Sequence, residues 1–273
     1  MTTVIAATDL TARSANVPGR AARIAATLGA RVLLVHVSQP QNGLRGAMRL
    51  AAKPDRLRAR LARLAQGMDL ASVEVRQLEG PPENAIAALA AAEDAALIVL
   101  GLHRRRRVLD VLRLTTMERI VLRARAPVLI AHLPPTQPYR KVLAALTFSP
   151  ACTRALQMAR RIAPDAALHG IHALQLPLRD KLAAAGLEAS RAMTEAEMLR
   201  DAFLAQPGMP VLSAPPEIVA AGVHDVLRFR IEELQPELLV IGTHSGRDPD
   251  TLGNYARDLL RAPPGDVLAA KPV

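Results

Sequence analysis

The run Leu97-Ile98-Val99-Leu100-Gly101-Leu102-His103 returns 141 residues later as Leu238-Leu239-Val240-Ile241-Gly242-Thr243-His244. A buried strand ending on glycine, with histidine two positions on, is used twice at close to half the chain length of 273 residues. Other segments align around this anchor. Val4-Ile5-Ala6-Ala7-Thr8-Asp9 pairs with Val142-Leu143-Ala144-Ala145-Leu146-Thr147, and Val32 to His36 pairs with Ala167 to His172. Each copy closes on a proline-introduced strand, Pro127 to Ala131 and, after Pro263-Pro264-Gly265, Asp266 to Lys271. A repeat of this length is a duplicated domain, so the expected division is 1–136 and 137–273. Each copy is long enough to bury a core of its own.

Continuous apolar runs mark strands covered on both faces, and their alternation with helical patterns marks a mainly parallel sheet with right-handed crossovers. In the first copy the pattern predicts strands at 3–7, 32–37, 72–75, 96–101 and 127–131, with helices at 14–29, 54–67, 83–93 and 115–125. In the second it predicts strands at 142–147, 167–172, 210–214, 238–242 and 266–271, with helices at 151–163, 177–206, 222–235 and 253–262. The expected fold class is therefore α/β, two tandem Rossmann-like domains, each a doubly wound five-stranded mainly parallel sheet. Leu133-Pro134-Pro135-Thr136-Gln137-Pro138 reads as a stiff connector in which proline excludes helix. Residues 39–53 show no period and read as a mobile connection.

Composition narrows the function classes. The net charge of +10 belongs to the first copy, where residues 1–137 hold 20 Lys/Arg against 10 Asp/Glu while residues 138–273 hold 15 of each. A basic half invites an anionic ligand, or a nucleic acid held by Arg104 to Arg107. With aromatics at 2% and no Trp, stacking platforms for single strands are scarce, so nucleic acid is the weaker reading. Arg56, Arg58, Arg60 and Arg63 alternate with Leu57, Leu61 and Leu64 as on a solvated amphipathic helix. The single Cys152 forms no intrachain disulfide. No apolar run is long enough to span a bilayer, and no leader precedes the first strand, which makes a cytoplasmic, membrane-free protein the expectation.

In a doubly wound sheet, ligands bind beyond the carboxyl ends of the strands, where Asp9, Gly101 and Gly242 lie. After strand four a glycine permits close approach of ligand to backbone, and the next helix offers free N–H groups to an anion. The first loop runs Gly101-Leu102-His103-Arg104-Arg105-Arg106-Arg107 and on to Thr115-Thr116-Met117-Glu118. Thr115-x-x-Glu118 is also a capping box, which explains Thr115 with no ligand at all. The second loop runs Gly242-Thr243-His244-Ser245-Gly246-Arg247, then Asp248 to Asn254, with Asn254 as the expected N-cap. Its two acidic residues oppose a polyphosphate unless a metal intervenes. His36, His103, His132, His169, His172, His224 and His244 show no metal-ligand spacing. Ser149 lies in no G-x-S-x-G elbow, and Cys152 reads as a small helix-start residue ahead of an oxidation sensor.

The tandem layout, the V-x-x-x-T-D-L start at Val4, G-x-H-R-R-R at Gly101 with T-T-x-E-R at Thr115, Phe148-Ser149-Pro150, G-T-H-S-G at Gly242 and L-G-N at Leu252 resemble the universal stress protein family in its two-domain cytoplasmic form. The resemblance covers nearly the whole chain. It implies a stress-response protein and, in many members, ATP held by an aspartate after strand one and by a G-x-x-G-x9-G-[S/T] loop after strand four. Asp9 matches the adenosine-side aspartate, Gly101 the first glycine and Thr115 the hydroxyl. Arg104 and Leu114 stand where the other glycines belong. In the second copy Thr147 replaces the aspartate, Gly242 is kept, Ser245 stands for the second glycine beside Gly246, and the loop reaches Gly253-Asn254 two residues short. The expectation is a non-enzymatic protein with a degenerate ATP-type site in each half, its candidate residues being Asp9, Gly101, His103, Arg104, Thr115, Thr116, Gly242, His244, Ser245, Gly246, Gly253 and Asn254. The ligand class is a small anion or a nucleotide such as ATP. The alternatives are a weak ATPase or nucleotide-transfer enzyme using the second loop, and a nucleic-acid-associated protein using the basic half. The resemblance further implies an internal pseudo-dimer with the strands at 128–131 and 267–271 antiparallel, and a possible homodimer.

Overall fold

The computed structural model describes residues 1–38, 54–68, 73–102, 114–175, 187–243 and 251–272. It divides into two compact units, Met1–Pro138 and Tyr139–Val273.

In the first unit five strands run β1 (Thr3–Ala7), β2 (Arg31–Ser38), β3 (Val73–Glu79), β4 (Ala95–Leu100) and β5 (Val128–Ile130). Among them lie α1 (Asn16–Leu28), α2 (Pro54–Gln66), α3 (Pro82–Ala92) and α4 (Thr116–Arg123). All four pairings are parallel, and they order the sheet β3-β2-β1-β4-β5. The reversal of winding falls between β1 and β4, where the register Ala7 to Leu100 brings the carboxyl ends of both strands side by side. β1 is buried along its whole length because it is central and covered on both faces. Small side chains of α1, among them Val17, Ala21 and Ala25, are fully buried, so that the helix lies close to the sheet.

The outer strand β3 is different. Its residues are half-buried or exposed, and it runs four residues beyond the apolar stretch that marked it in the sequence. Polar residues extend it because they have ion partners. Arg76 reaches Glu74 at 2.6 Å and Glu93 at 2.8 Å, while Arg31 of β2 also binds Glu93. The exposed Glu74 carboxyl is held below its ordinary range chiefly by the hydrogen bond from Arg76.

The second unit repeats the plan. β6 (Lys141–Ala145), β7 (Ala167–Ala173), β8 (Glu217–Val219), β9 (Leu238–Gly242) and β10 (Asp266–Ala270) pair in parallel in the order β10-β9-β6-β7-β8. The helices are α5 (Pro150–Ile162), α6 (Leu187–Leu204), α7 (Val223–Leu234) and α8 (Asn254–Arg261). One strand is displaced from its predicted place. Residues 210–214 are not a strand, and β8 begins only after Pro215 and Pro216, which have no N–H to give a ladder. The earlier stretch is held instead by Arg160, which donates to the Val211 carbonyl at 2.7 Å, and by Ser213, whose N–H reaches Leu168 at 2.8 Å. Helix α6 starts at Leu187, and residues 177–186 of the helix expected there lie outside the described residues.

Candidate functional site

In both units the first strand leaves the sheet through a residue in the left-handed region, Leu10 at φ 61° and Phe148 at φ 55°. Neither is glycine, so each turn carries local strain that the surrounding contacts must offset. The contacts correspond. The Thr8 N–H reaches Val35 at 2.9 Å, and the Leu146 N–H reaches Ile171 at 2.8 Å. On the next residue of each second strand, a histidine Nδ1 lies 2.8 Å from the carbonyl just past the first strand, His36 on Thr8 and His172 on Leu146. The paired histidines therefore fix the turn. That role was not readable from their lack of metal spacing.

The Asp9 carboxylate is oriented by its own loop. Its Oδ1 accepts from the Thr11 N–H at 2.9 Å, the Thr11 hydroxyl at 2.8 Å and the Ser14 hydroxyl at 2.7 Å, while Ser14 Oγ also lies 2.9 Å from Thr8 Oγ1. Partial burial pushes the carboxyl up, but the bonds from Ser14 and Thr11 outweigh it, and the pKa settles below the ordinary 3.8. Asp9 remains exposed at the carboxyl end of β1. In the second unit Thr147 takes its place and Cys152 that of Ser14. The buried Cys152 Sγ lies 3.4 Å from both the N–H and the hydroxyl of Thr147, and 3.6 Å from the Ser149 hydroxyl. A carboxylate in one unit is thus answered by a hydroxyl and a sulfur in the other. Phe148 lays its ring on His172 at 4.8 Å and on the buried Phe203 at 5.5 Å.

Gly101 and Gly242 do face a close approach, but of the chain itself. A Cβ at Gly101 would lie 2.6 Å from the Arg13 carbonyl oxygen and 2.7 Å from Ser14 Cα. At Gly242 it would meet Ala151 Cβ, Cys152 N and Cys152 Sγ, each at 3.0 Å. Both glycines let the end of strand four pass close to the first turn after strand one, a contact that accounts for them with no ligand. Thr115 is committed as well. It is the N-cap of α4, accepting from the Glu118 N–H at 3.2 Å while the buried Glu118 carboxylate accepts from the Thr115 N–H, a complete capping box. Thr116 receives a 3.4 Å contact from Arg119, whose guanidinium also binds the Leu114 carbonyl and Glu83.

At α8 the cap differs from expectation. Gly253 is the N-cap and Asn254 the first helical residue, with no side-chain cap bond. Both are exposed, with nothing within 4 Å of a Cβ built at Gly253. His103, Arg104, His244, Ser245 and Gly246, like Arg105 to Arg107, lie outside the described residues. The described candidates that come together are Asp9 and Gly101, through Ser14, whose only local signal is a hydroxyl five positions after an aspartate. Among the described residues, no group of three or more His, Cys, Asp or Glu could hold a metal ion. No described helix is long and apolar enough to cross a membrane.

Among the described residues, the chemistry an ATP would need is clearest on the Asp9 side. Asp9 is a fixed acceptor of the kind a ribose or base donor needs. On the phosphate side, the Cβ position of Gly101 is taken up by Arg13 and Ser14, the Thr115 hydroxyl already accepts the Glu118 N–H of its cap, and Leu114 carries a side chain where glycine would leave backbone bare.

Comparison with known proteins follows the same division of the chain. The model of the universal stress protein family matches twice, over residues 1–132 and 138–271. A universal stress protein structure from Archaeoglobus fulgidus superposes at TM-score 0.71 and 18% identity, covering 99% of this chain and 96% of its own. A putative universal stress protein from Pseudomonas aeruginosa superposes at 0.67 and 21% identity, covering 99% and 93%. No curated protein matches.

Proposed function

The chain belongs to the universal stress protein family in tandem form, and from that premise we propose a non-enzymatic, cytoplasmic stress-response protein that binds a small nucleotide-type ligand at the strand ends of its first unit. The observation that carries this reading is the Asp9 carboxylate, held by three bonds on one oxygen at the winding reversal of the sheet. A carboxylate fixed before the ligand arrives loses little entropy on binding, and it selects a donor such as a ribose hydroxyl or an exocyclic amine. The nucleoside part supplies recognition in this reading, and the basic surroundings of the first unit favour an anionic tail in solution over one packed on backbone. The second unit keeps the turn but not the carboxylate, and it contributes a weaker, neutral site.

The test is calorimetric titration of the full chain with adenosine, AMP and ATP, with and without Mg2+. The expected result is one dominant site whose affinity changes little from AMP to ATP and falls at least tenfold in Asp9→Ala. Equal binding by Asp9→Ala would refute the assignment, and ATP turnover abolished by Gly253→Leu would favour the enzyme reading instead.

A further inference from the structure

The proline-bearing connector is a docked segment, and α1 is what it docks on. Asn16 Nδ2 donates to the His132 carbonyl at 2.7 Å. One turn on, Arg20 donates to Gln137 at 3.2 Å and to Pro134 at 3.3 Å. Arg23 then reaches Pro135 at 3.1 Å and Thr136 at 3.0 Å. Residues 16, 20 and 23 share one helix face, and together they take five of the six carbonyls from His132 to Gln137. Pro134 and Pro135 have no N–H to satisfy, so a segment of this composition turns its acceptors to the helix with fewer donors left to pair. Gly19 completes the seat: a Cβ there would come within 2.6 Å of Pro135 Cγ. Arg20 is only 2% exposed, and a guanidinium so far out of water needs these acceptors.

We propose that residues 132–137 are a latch fastened to the Asn16-Arg20-Arg23 face of α1, and that its docking steadies the turn presenting Asp9. The connection is short. Ser14, the hydroxyl partner of Asp9, precedes by two residues the Asn16 that holds the first latch carbonyl. The functional meaning of the steadied turn rests on the reading of Asp9 as a ligand acceptor, but the latch itself does not.

The experiment is backbone 15N relaxation on the full chain without ligand, so its outcome is independent of whether nucleotide binds. Rigid backbone gives order parameters of about 0.85 and a flexible tether gives values below about 0.6. The amides of Thr136 and Gln137 are expected near the rigid value. In Arg23→Met, which removes two latch bonds from an exposed position, Thr136 is expected to fall below 0.6 on that scale, with a smaller fall at Thr11 and Ser14. Gly19→Ala supplies the second variant. Alanine favours the helix by about 1 kcal/mol, so loosening at Thr136 in that variant can come only from displacing Pro135. Thr136 and Gln137 at flexible values in the unaltered protein, or rigid in both variants, would overturn the latch. A loosened latch with Thr11 and Ser14 unchanged would overturn its bracing of Asp9.

Discussion

Replacing Gly101 by alanine separates a glycine kept for the fold from one kept for a ligand. The new Cβ would lie 2.6 Å from the Arg13 oxygen and 2.7 Å from Ser14 Cα, against a comfortable separation of about 3.5 Å. Both obstacles are main chain, so relief requires the Arg13–Ser14 turn ahead of α1 to move by most of an ångström relative to β4. That motion strains the Leu102 N–H to Arg13 bond, already 3.3 Å long. Overpacking of this kind costs about 1–3 kcal/mol, and two backbone obstacles place Gly101→Ala at the upper end, about 3 kcal/mol. At about 2–4 °C per kcal/mol for a chain of this size, the unfolding midpoint should fall by roughly 10 °C. Gly242→Ala is the internal control, since its contacts of 3.0 Å need only a few tenths of an ångström, a cost of about 1 kcal/mol. Thermal unfolding followed by far-UV circular dichroism, without nucleotide, measures both. A Gly101→Ala protein as stable as its parent but unable to bind nucleotide would refute the reasoning and return the glycine to the ligand.

Three other changes test separate parts of the structure. Thr115→Ala removes the α4 cap and should cost about 1 kcal/mol of stability in denaturant unfolding. Because the folded pKa of Asp9 lies below 3.8, its stabilising contribution is complete above that value and is lost as pH falls through the lowered one. Asp9→Asn should therefore show a flatter decline of stability with acid than the parent, and parallel acid-unfolding curves would contradict the Ser14 and Thr11 bonds. Tyr139→Phe deletes the 2.6 Å bond from the phenol to the fully buried Asp266 carboxyl, and should cost about 2 kcal/mol by the same unfolding assay.

The strands covered on both faces were legible because burial writes itself as an unbroken apolar run, and β1, β4, β6 and β9 lie within a residue or two of their predicted ends. The partly covered outer strands were harder. β3 continues through Arg76 and Glu79 because ion pairs sustain it, and β8 sits beyond Pro216 because arginine and serine bonds, invisible to periodicity, hold residues 210–214 elsewhere. At the site, the Thr115-Glu118 box was legible as local chemistry between neighbours. The roles of Ser14 and Cys152 beneath Gly101 and Gly242 were not, since a contact across some ninety residues leaves no local pattern. The cap at α8 departs from local preference for a related reason: asparagine is the stronger N-cap by side chain, yet the chain enters the helix with Gly253 at φ −58° and ψ 151° as the cap.

The ion cluster on β3 also bears on how the protein keeps company with copies of itself. A bare strand margin is an invitation to sideways addition by another polypeptide, and Val75, at 37% exposed, would be the natural point of entry. A newcomer aligning there would have to strip water from Glu74 and Arg76, which alternate with the apolar positions and are already matched to one another. The arrangement serves solubility more than strength, because exposed ion pairs add little to stability, and neutralising it with threonines would be felt first as turbidity at high concentration, with only a small fall in melting temperature.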